Sequence, residues 1–337
     1  GVWEVRSQIT PRGWEAEIAI PFSTLRFGKQ EVWGLNIFRI VRRQNEYSFW
    51  SAIPRSFNIY KVSLAGNLKG MDVPRQSSLD LIPYLLAGAS KTAGSNGRRI
   101  TEVGLDAKYA ITPSLSLDMT YNTDFAQVEA DNAQINLTRF NLFYPEKREF
   151  FLTRSKLFSF GNSSQTEVFF SRQIGLNQDV AGGARMFGQI GNTSIGALNI
   201  HTRAEGNLPA TAYSALRLRS DVRDRTTVGA IVTDVTNNDG QNSVFGLDAQ
   251  MRFWGNSSVS TWYSQVDDNR IEGPSAASMV KIDLKNDRYF LTAGQHRVDK
   301  GFQPALGFVQ RTDMIGTGAI FGFTPRVGNG DELIRQW

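Results

Sequence analysis

The stretch from Thr101 to Tyr121 sets the tightest limit on the fold. In TEVGLDAKYAI, Val103, Leu105, Ala107, Tyr109 and Ile111 alternate with Glu102, Asp106 and Lys108. Beyond Thr112-Pro113-Ser114 the alternation resumes, with Leu115, Leu117, Met119 and Tyr121 interleaved by Ser116, Asp118 and Thr120. Side chains of a strand leave opposite faces in turn, so a period of two across a tight turn predicts a hairpin and not a helix. The same period recurs in Phe245, Leu247, Ala249, Met251 and Phe253, set against Gly246, Asp248, Gln250 and Arg252. Further strands are predicted over 81–88, 184–190, 194–202, 211–219, 226–235, 258–266, 277–284, 288–296 and 314–323. No long amphipathic helix is legible, and the chain reads as all-β.

The connections narrow the class. Tight turns are read at Thr112-Pro113, Gly191-Asn192 and Gly255-Asn256, with longer polar links in ASKTAGSNGRR, TRAEGNLPA, TNNDGQN and VDDNRIEGPSA between them. Short turns at one end and long loops at the other describe an antiparallel transmembrane β-barrel. A soluble sandwich or propeller alternates equally well. The inferred inward positions Asp106, Lys108, Asp118, Arg217, Arg219, Asp248 and Arg252 favour the barrel. A small dry core would not tolerate those charges, whereas a water-filled lumen would.

Composition removes several chemistries. The chain of 337 residues has no cysteine and only two histidines, His201 and His296, which excludes thiolate metal sites and HExxH zinc sites. The net charge of +5 is spread without a basic tract, so nucleic acid is not an expected partner. No run of apolar residues is long enough for a transmembrane helix.

Two regions break the barrel pattern. Residues 1–70 are dense in aromatics (Trp3, Trp14, Phe22, Phe27, Trp33, Phe38, Tyr47, Phe49, Trp50, Phe57 and Tyr60) and read as the C-terminal part of a β-sandwich. In it Ile18 and Ile20 alternate up to Pro21, VWGLNIFRIVRR and EYSFWSAI supply strands, and Trp14 is expected in the core. Residues 71–78, MDVPRQSS, read as a linker to a barrel domain over 79–337. The second region is DFAQVEADNAQINLTRFNLFYPEKREFF, at 124–151, which mixes carboxylates, basic residues and aromatics without a period. It lies between a strand leaving a tight turn and a strand entering one, and a connection of that length argues for a packed element. The expectation is a segment folded back into the barrel. Its charges would pair with inward-facing Lys, Arg and Asp, while Phe140, Phe143, Tyr144, Phe150 and Phe151 form one internal cluster.

These stretches carry a resemblance. GWEAEIAIPFSTLRF with WGLNIFRIVRR and YSFWSAI resembles the last strands of family 9-like carbohydrate-binding modules, which are DOMON-like β-sandwiches. The segment at 124–151, with FFSRQIGL at 169–176, resembles the signature of a bacterial outer-membrane barrel family described as domain of unknown function 5916. In that family the barrel follows the sandwich directly. The pattern there continues Leu-Glu-Gly after the Phe pair, where this chain has Leu152-Thr153-Arg154. The resemblance implies a longer parent chain, an incomplete barrel over 79–337 with a lumenal segment at 124–176, and a periplasmic sandwich.

The site expectations follow. A lumenal plug or constriction would be built by Asp124, Glu129, Asp131, Asn136, Arg139, Tyr144, Glu146, Lys147, Arg148, Phe150, Phe151 and Arg172. Aromatic faces there stack on sugars while carboxylates and amides accept hydroxyl hydrogens. If the module's role carries over, Trp33 and Trp50 stack on carbohydrate. The paired carboxylates Glu129 and Asp131, or Glu146 and Glu149, also match the needs of glycoside hydrolysis, but no catalytic residue is assigned. No cofactor is expected. A structural calcium ion on carboxylates and carbonyls is conceivable for such a module, although no DxDxDG-type loop is present. The expected function is non-catalytic binding or passage of a carbohydrate-related or other polar solute across the outer-membrane bilayer. The alternatives are a glycoside hydrolase-associated protein and a purely structural surface barrel.

Overall fold

The computed structural model describes residues 3–22, 25, 31–54, 57–72, 79–90, 98–112, 114–122, 135–176, 178–223, 225–254, 257–286 and 288–323. The chain divides into two units, residues 1–78 with 112–114, and the remainder.

The first unit holds strand pairs. β1 (Glu4–Thr10) pairs antiparallel with β2 (Gly13–Ala19), which stops before Pro21, a residue with no amide hydrogen to donate. The expected strand over VWGLNIFRIVRR is broken into β3 (Trp33–Leu35) and β4 (Phe38–Val41). The break is at Asn36, whose side chain bonds both the amide and the carbonyl of Ser51 and so takes the place of a backbone partner. β4 pairs with β5 (Glu46–Phe49), and β3 with β6 (Gly66–Leu68). Trp14 corrects the expectation of a core residue, because it is 61% exposed with the Arg39 guanidinium 5.8 Å from its ring. The cause is that β1 and β2 pair only with each other, and every residue of β2 stays exposed.

The second unit is built on one twelve-stranded antiparallel sheet in which strands follow one another in chain order. It runs β7 (Leu79–Ser90), β8 (Arg98–Thr112), β9 (Leu115–Tyr121), then β12 to β19 and β21, with β10 (Gly161–Asn162), β11 (Thr166–Glu167) and β20 (Phe308–Val309) outside it. The later strands are β12 (Val180–Ile190), β13 (Thr193–Thr202), β14 (Ala212–Arg223), β15 (Thr226–Asn237), β16 (Gly240–Phe253), β17 (Ser257–Asp267), β18 (Ala276–Lys285), β19 (Tyr289–Val298) and β21 (Met314–Phe323). Among the described residues no pairing joins the edge strands β7 and β21.

Every strand expected in this region is present. The strand ends that β8 shares with β9, β12 with β13, β14 with β15, β16 with β17 and β18 with β19 across short connections lie at one end of the sheet. The strand ends separated by longer stretches of chain, β9 from β12, β13 from β14, β17 from β18 and β19 from β21, lie at the other. TNNDGQN is a correction. It is not a long link, since β15 and β16 pair up to Asn237 and Gly240 and only 238–239 turn. The Asn237 side chain accepts from the Asp239 amide at 2.9 Å, an Asx turn that closes the chain within two residues.

The two faces differ. Cross-strand pairing aligns Leu198, Ala215, Thr233, Val244 and Val266 in one row, all buried. A row three residues along, on the opposite face, aligns Ile195, Leu218, Ala230, Leu247 and Tyr263, of which Leu218, Leu247 and Tyr263 are exposed. Residues 135–176 and 299–313 lie on the first face and cover it. Short α1 (Glu149–Leu152), a 3-10 turn over Ser155–Phe158 and the small sheet of β10, β11 and β20 shape that cover. Phe160 and Phe302 enter one apolar cluster with Ile231, Val244, Trp262 and Val298 of the sheet. Phe151, Phe158, Ile174 and Leu306 enter another with Leu198, Ile200 and Ala215. Each of these buried rings contributes roughly 1.5–3 kcal/mol of transfer free energy.

Candidate functional site: the covered face and its long-loop end

The covered face carries its charge in matched pairs. On β14 and β16, Arg217 holds both oxygens of Asp248, at 2.6 and 2.9 Å, and its side chain is 1% exposed. Gly229 lies between them on β15, where a Cβ would strike Arg217 and Asp248 alike. The Phe160 ring of the cover sits 5.3 Å from that guanidinium. On β9 and β12, Arg185 reaches Asp118 at 2.7 Å and the Thr153 carbonyl at 3.1 Å, with the rings of Phe150 and Phe187 each 4.7 Å away. The expectation was that the cover's charges would pair with inward-facing Lys, Arg and Asp, but among the described residues Arg185 and Arg217 each pair with a carboxylate of the sheet. Register sets Asp118 directly opposite Arg185, and Arg185 and Arg217 each find a carboxylate inside the sheet and offer a face to a ring of the cover.

The cover is fastened by its own pair. Arg148 donates through Nε and Nη2 to the two oxygens of Glu146, at 2.8 and 2.7 Å, and onward to the carbonyls of Ile174 and Ser171, each at 2.6 Å. Ser171 Oγ donates to the same carboxylate at 2.7 Å, and its other oxygen accepts the amides of Lys147 and Arg148. The Phe151 ring lies 4.3 Å from the Arg148 guanidinium. Burial pushes the Glu146 carboxyl up, but the hydrogen bonds and charge of Arg148 outweigh it and hold the group below the ordinary glutamate value. The clamp unites the PEKREFF and FFSRQIG stretches. It also keeps Glu146 ionised, which unfits it as a proton donor for glycoside hydrolysis.

The aromatics expected as one cluster are divided. Phe150 and Phe151 meet edge to face at 5.1 Å within the cover. Phe143 instead packs on Phe170 and Phe308, each at 5.2 Å, Tyr144 stands 5.6 Å from the Arg172 guanidinium, and Phe140 lies between Arg139 and Arg311. The clamp beginning at Glu146 turns the chain inward and separates the groups. Asn136 folds its own loop, bonding Thr138 and the Phe140 carbonyl. Asp124, Glu129 and Asp131 lie outside the described residues.

Above the clamp, at the long-loop end, opens a cleft of about 1110 Å³. Asn136, Tyr144 and Arg172 line it, together with Phe170, Phe308 and the loop residues Asn242, Asp268 and Gln303. Arg172 is oriented by the Pro145 carbonyl at 3.0 Å. Asn242 ties two walls, donating to Asp268 at 2.9 Å and to the Gln303 carbonyl at 3.1 Å while accepting the Ala305 amide at 2.9 Å. Hydrogen bonds from Arg270 hold the Asp268 carboxyl well below the usual carboxylate range, against its burial. Amides, a phenol and two guanidinium groups, of Arg172 and Arg270, beside aromatic rings suit a polyhydroxylated solute, and Asp268, the one carboxylate among the described lining residues, is an acceptor rather than an acid. Among the described residues no three His, Asp or Glu side chains gather as a metal site. In the first unit, Trp50 presents a ring 59% exposed beside Gly66, and Trp33 is half-buried with its ring edge-on to Phe22 at 6.1 Å.

Three contributors escaped sequence reading. Loop 299–313 has no period, yet its Phe302, Leu306 and Phe308 complete both the core and the cleft. Arg185 lies in the strand expected over 184–190 but was not among the charges read as inward-facing. Exposed aromatics gather at the short-turn end: Phe253 meets Trp254 at 5.1 Å, and Tyr289 stacks on Phe323 at 4.8 Å and Phe321 at 6.2 Å. Their signal was the aromatic pairs Phe253-Trp254, just before the Gly255-Asn256 turn, and Tyr289-Phe290, with Phe321 and Phe323 at alternate positions near the end of the last expected strand.

A family model described as "Domain of unknown function (DUF5916)" matches residues 76–261, more than half of the chain. Among curated proteins, none matches. One solved structure, "OmpT (in-vitro folded), an outer membrane protein Vibrio cholerae (trimer form)", is similar at a TM-score of 0.29 and 8% identity over 73% of this chain and 98% of that one. A likeness at that score carries no argument.

Proposed function

This chain belongs to the family of the domain of unknown function DUF5916, and on that premise we propose that its large sheet is the wall of an outer-membrane β-barrel. The cover is its lumenal constriction, and the long-loop cleft receives a carbohydrate-related or other polar solute on its way through. The observation that carries the reading is the inversion of the sheet. In the row Ile195, Leu218, Ala230, Leu247 and Tyr263 the large side chains of Leu218, Leu247 and Tyr263 face outward bare, while Arg185, Arg217, Asp118 and Asp248 face inward and are paired. A bilayer rewards that arrangement and water does not. Bare-face charge supports it too, since Asp234, Asp267 and Arg297 all lie near the long-loop end and the aromatics Trp254, Tyr289, Phe321 and Phe323 near the other. No helix among the described residues is long and apolar enough to cross a membrane. The short turns would face the periplasm, and the first unit would present Trp50, with Trp33, to carbohydrate on that side.

Liposome swelling in small neutral saccharides is the test. Liposomes carrying the protein should swell faster than empty ones, and Arg148→Ala, which unfastens the cover, should speed swelling further. Membrane-inserted protein of both kinds that swells no faster than empty liposomes would overturn solute passage.

A further inference from the structure

The covered face is not matched in charge along its whole length. At the short-turn end two adjoining clefts, of about 630 and 350 Å³, share Arg219 and Asp221. Arg154 and Lys156 of the cover line the first, and Arg223, Arg225 and Arg252 line the second. Asp221 is the only carboxylate lining either one among the described residues, and it accepts from Thr227 Oγ1 at 3.0 Å. Asp224, at the turn itself, is outside the described residues. Mid-sheet, Arg185 and Arg217 each meet a carboxylate. Here Arg154, Lys156, Arg219, Arg223 and Arg225 form no ion pair among the described residues, and Arg252 has only the Gln250 amide oxygen at 3.5 Å. Arg154 adds a second observation. Its φ of 52° lies in the left-handed region that favours glycine, so the backbone there gains nothing from a side chain, and the side chain that is present brings a guanidinium into the first cleft.

Six converging cations against the single Asp221 carboxylate repel one another and focus a positive field in the clefts they line. An oxyanion relieves that repulsion, and guanidinium groups match its paired oxygens with two hydrogen bonds each. Hydroxyl and amide neighbours, Ser155, Ser194, Gln189 and Gln250, suit the uncharged part of such a ligand. We infer that the two clefts together form a binding site for a small solute bearing a phosphate, sulfate or carboxylate group, at the short-turn end of the covered face. The site deepens the transport reading by making the barrel anion-preferring, and it rests on that reading for passage though not for binding.

Calorimetric titration of the detergent-solubilised protein at low ionic strength tests it, with inorganic phosphate, inorganic sulfate and glucuronate as separate arms. At least one arm should show saturable binding, and the arm that binds most tightly identifies the head group. The double variant Arg219→Gln/Arg252→Gln should weaken that binding tenfold or more. Arg154→Gly, which relaxes the backbone and so keeps the fold, should weaken it about threefold. Lys300→Gln, an exposed residue near the opposite end that lines none of the clefts, should leave it unchanged. Absence of binding in all three arms, or equal binding by wild type and Arg154→Gly together with the double variant, would overturn the site. Lost binding with intact saccharide swelling would refute this site alone, whereas binding without swelling would refute passage alone.

Discussion

On the covered face of β14 to β16, Arg217 and Asp248 meet beneath the Phe160 ring, while one residue along the same strands Leu216, Leu218, Phe245 and Leu247 stand bare. A sheet folding in water would keep the leucines inside and leave the arginine outside, because burying an ionised group costs far more than exposing an apolar one. Here strand periodicity places the two sets on opposite faces and the cover chooses which is buried. The difference teaches that the covered face is held by matched pairs and rings, whereas the bare face is suited to an apolar solvent.

The largest expected break in that comparison comes from the matched pairs. Asp248→Ala strands the Arg217 guanidinium and should cost about 3–5 kcal/mol, read as a shift in the denaturant midpoint in detergent. The double variant Arg217→Met/Asp248→Leu should recover most of the loss, since it removes both charges from the buried site. A single variant as stable as wild type would show that the pair does not hold the covered face.

A smaller effect should follow acidification. The Glu146 carboxyl is depressed in the fold, so its stabilisation is complete above the ordinary value of 4.5 and is lost as pH falls through the depressed one. Amide exchange over 145–176 should therefore accelerate well below pH 4.5 and not between that value and neutrality. Glu146→Gln should abolish this response and loosen the clamp at neutral pH by about 1–3 kcal/mol. An unchanged acid response in that variant would place the titrating group elsewhere.

Much of this was legible in the sequence where the period of two was unbroken. The alternation around Asp118 and Asp248 located strands, faces and inward charges together, and the aperiodic stretch ending at Phe151 announced a packed cover. Pairing was not legible, because it depends on register. Nothing local to Asp118 names Arg185, which lies beyond the whole cover in the chain. Loop 299–313 hid for the same reason, its apolar side chains having no period until the sheet supplies their partners. In the first unit the aromatics suggested a core, yet Trp14 stays exposed on β2, which among the described residues pairs with β1 alone.

The most direct measurement is a single-cysteine scan along β15, which the absence of native cysteine makes clean. Spin labels would be placed from Thr226 to Asn237 in bilayer-reconstituted protein. Oxygen, which concentrates in lipid, would be compared with a water-soluble nickel relaxer. Gly229, where a Cβ would strike Arg217 and Asp248, is left native, and the account predicts high oxygen access at Val228, Ala230 and Val232, alternating with low access at Thr227, Ile231 and Thr233. Nickel access equal to that of an exposed loop at Val228, Ala230 and Val232 would contradict it.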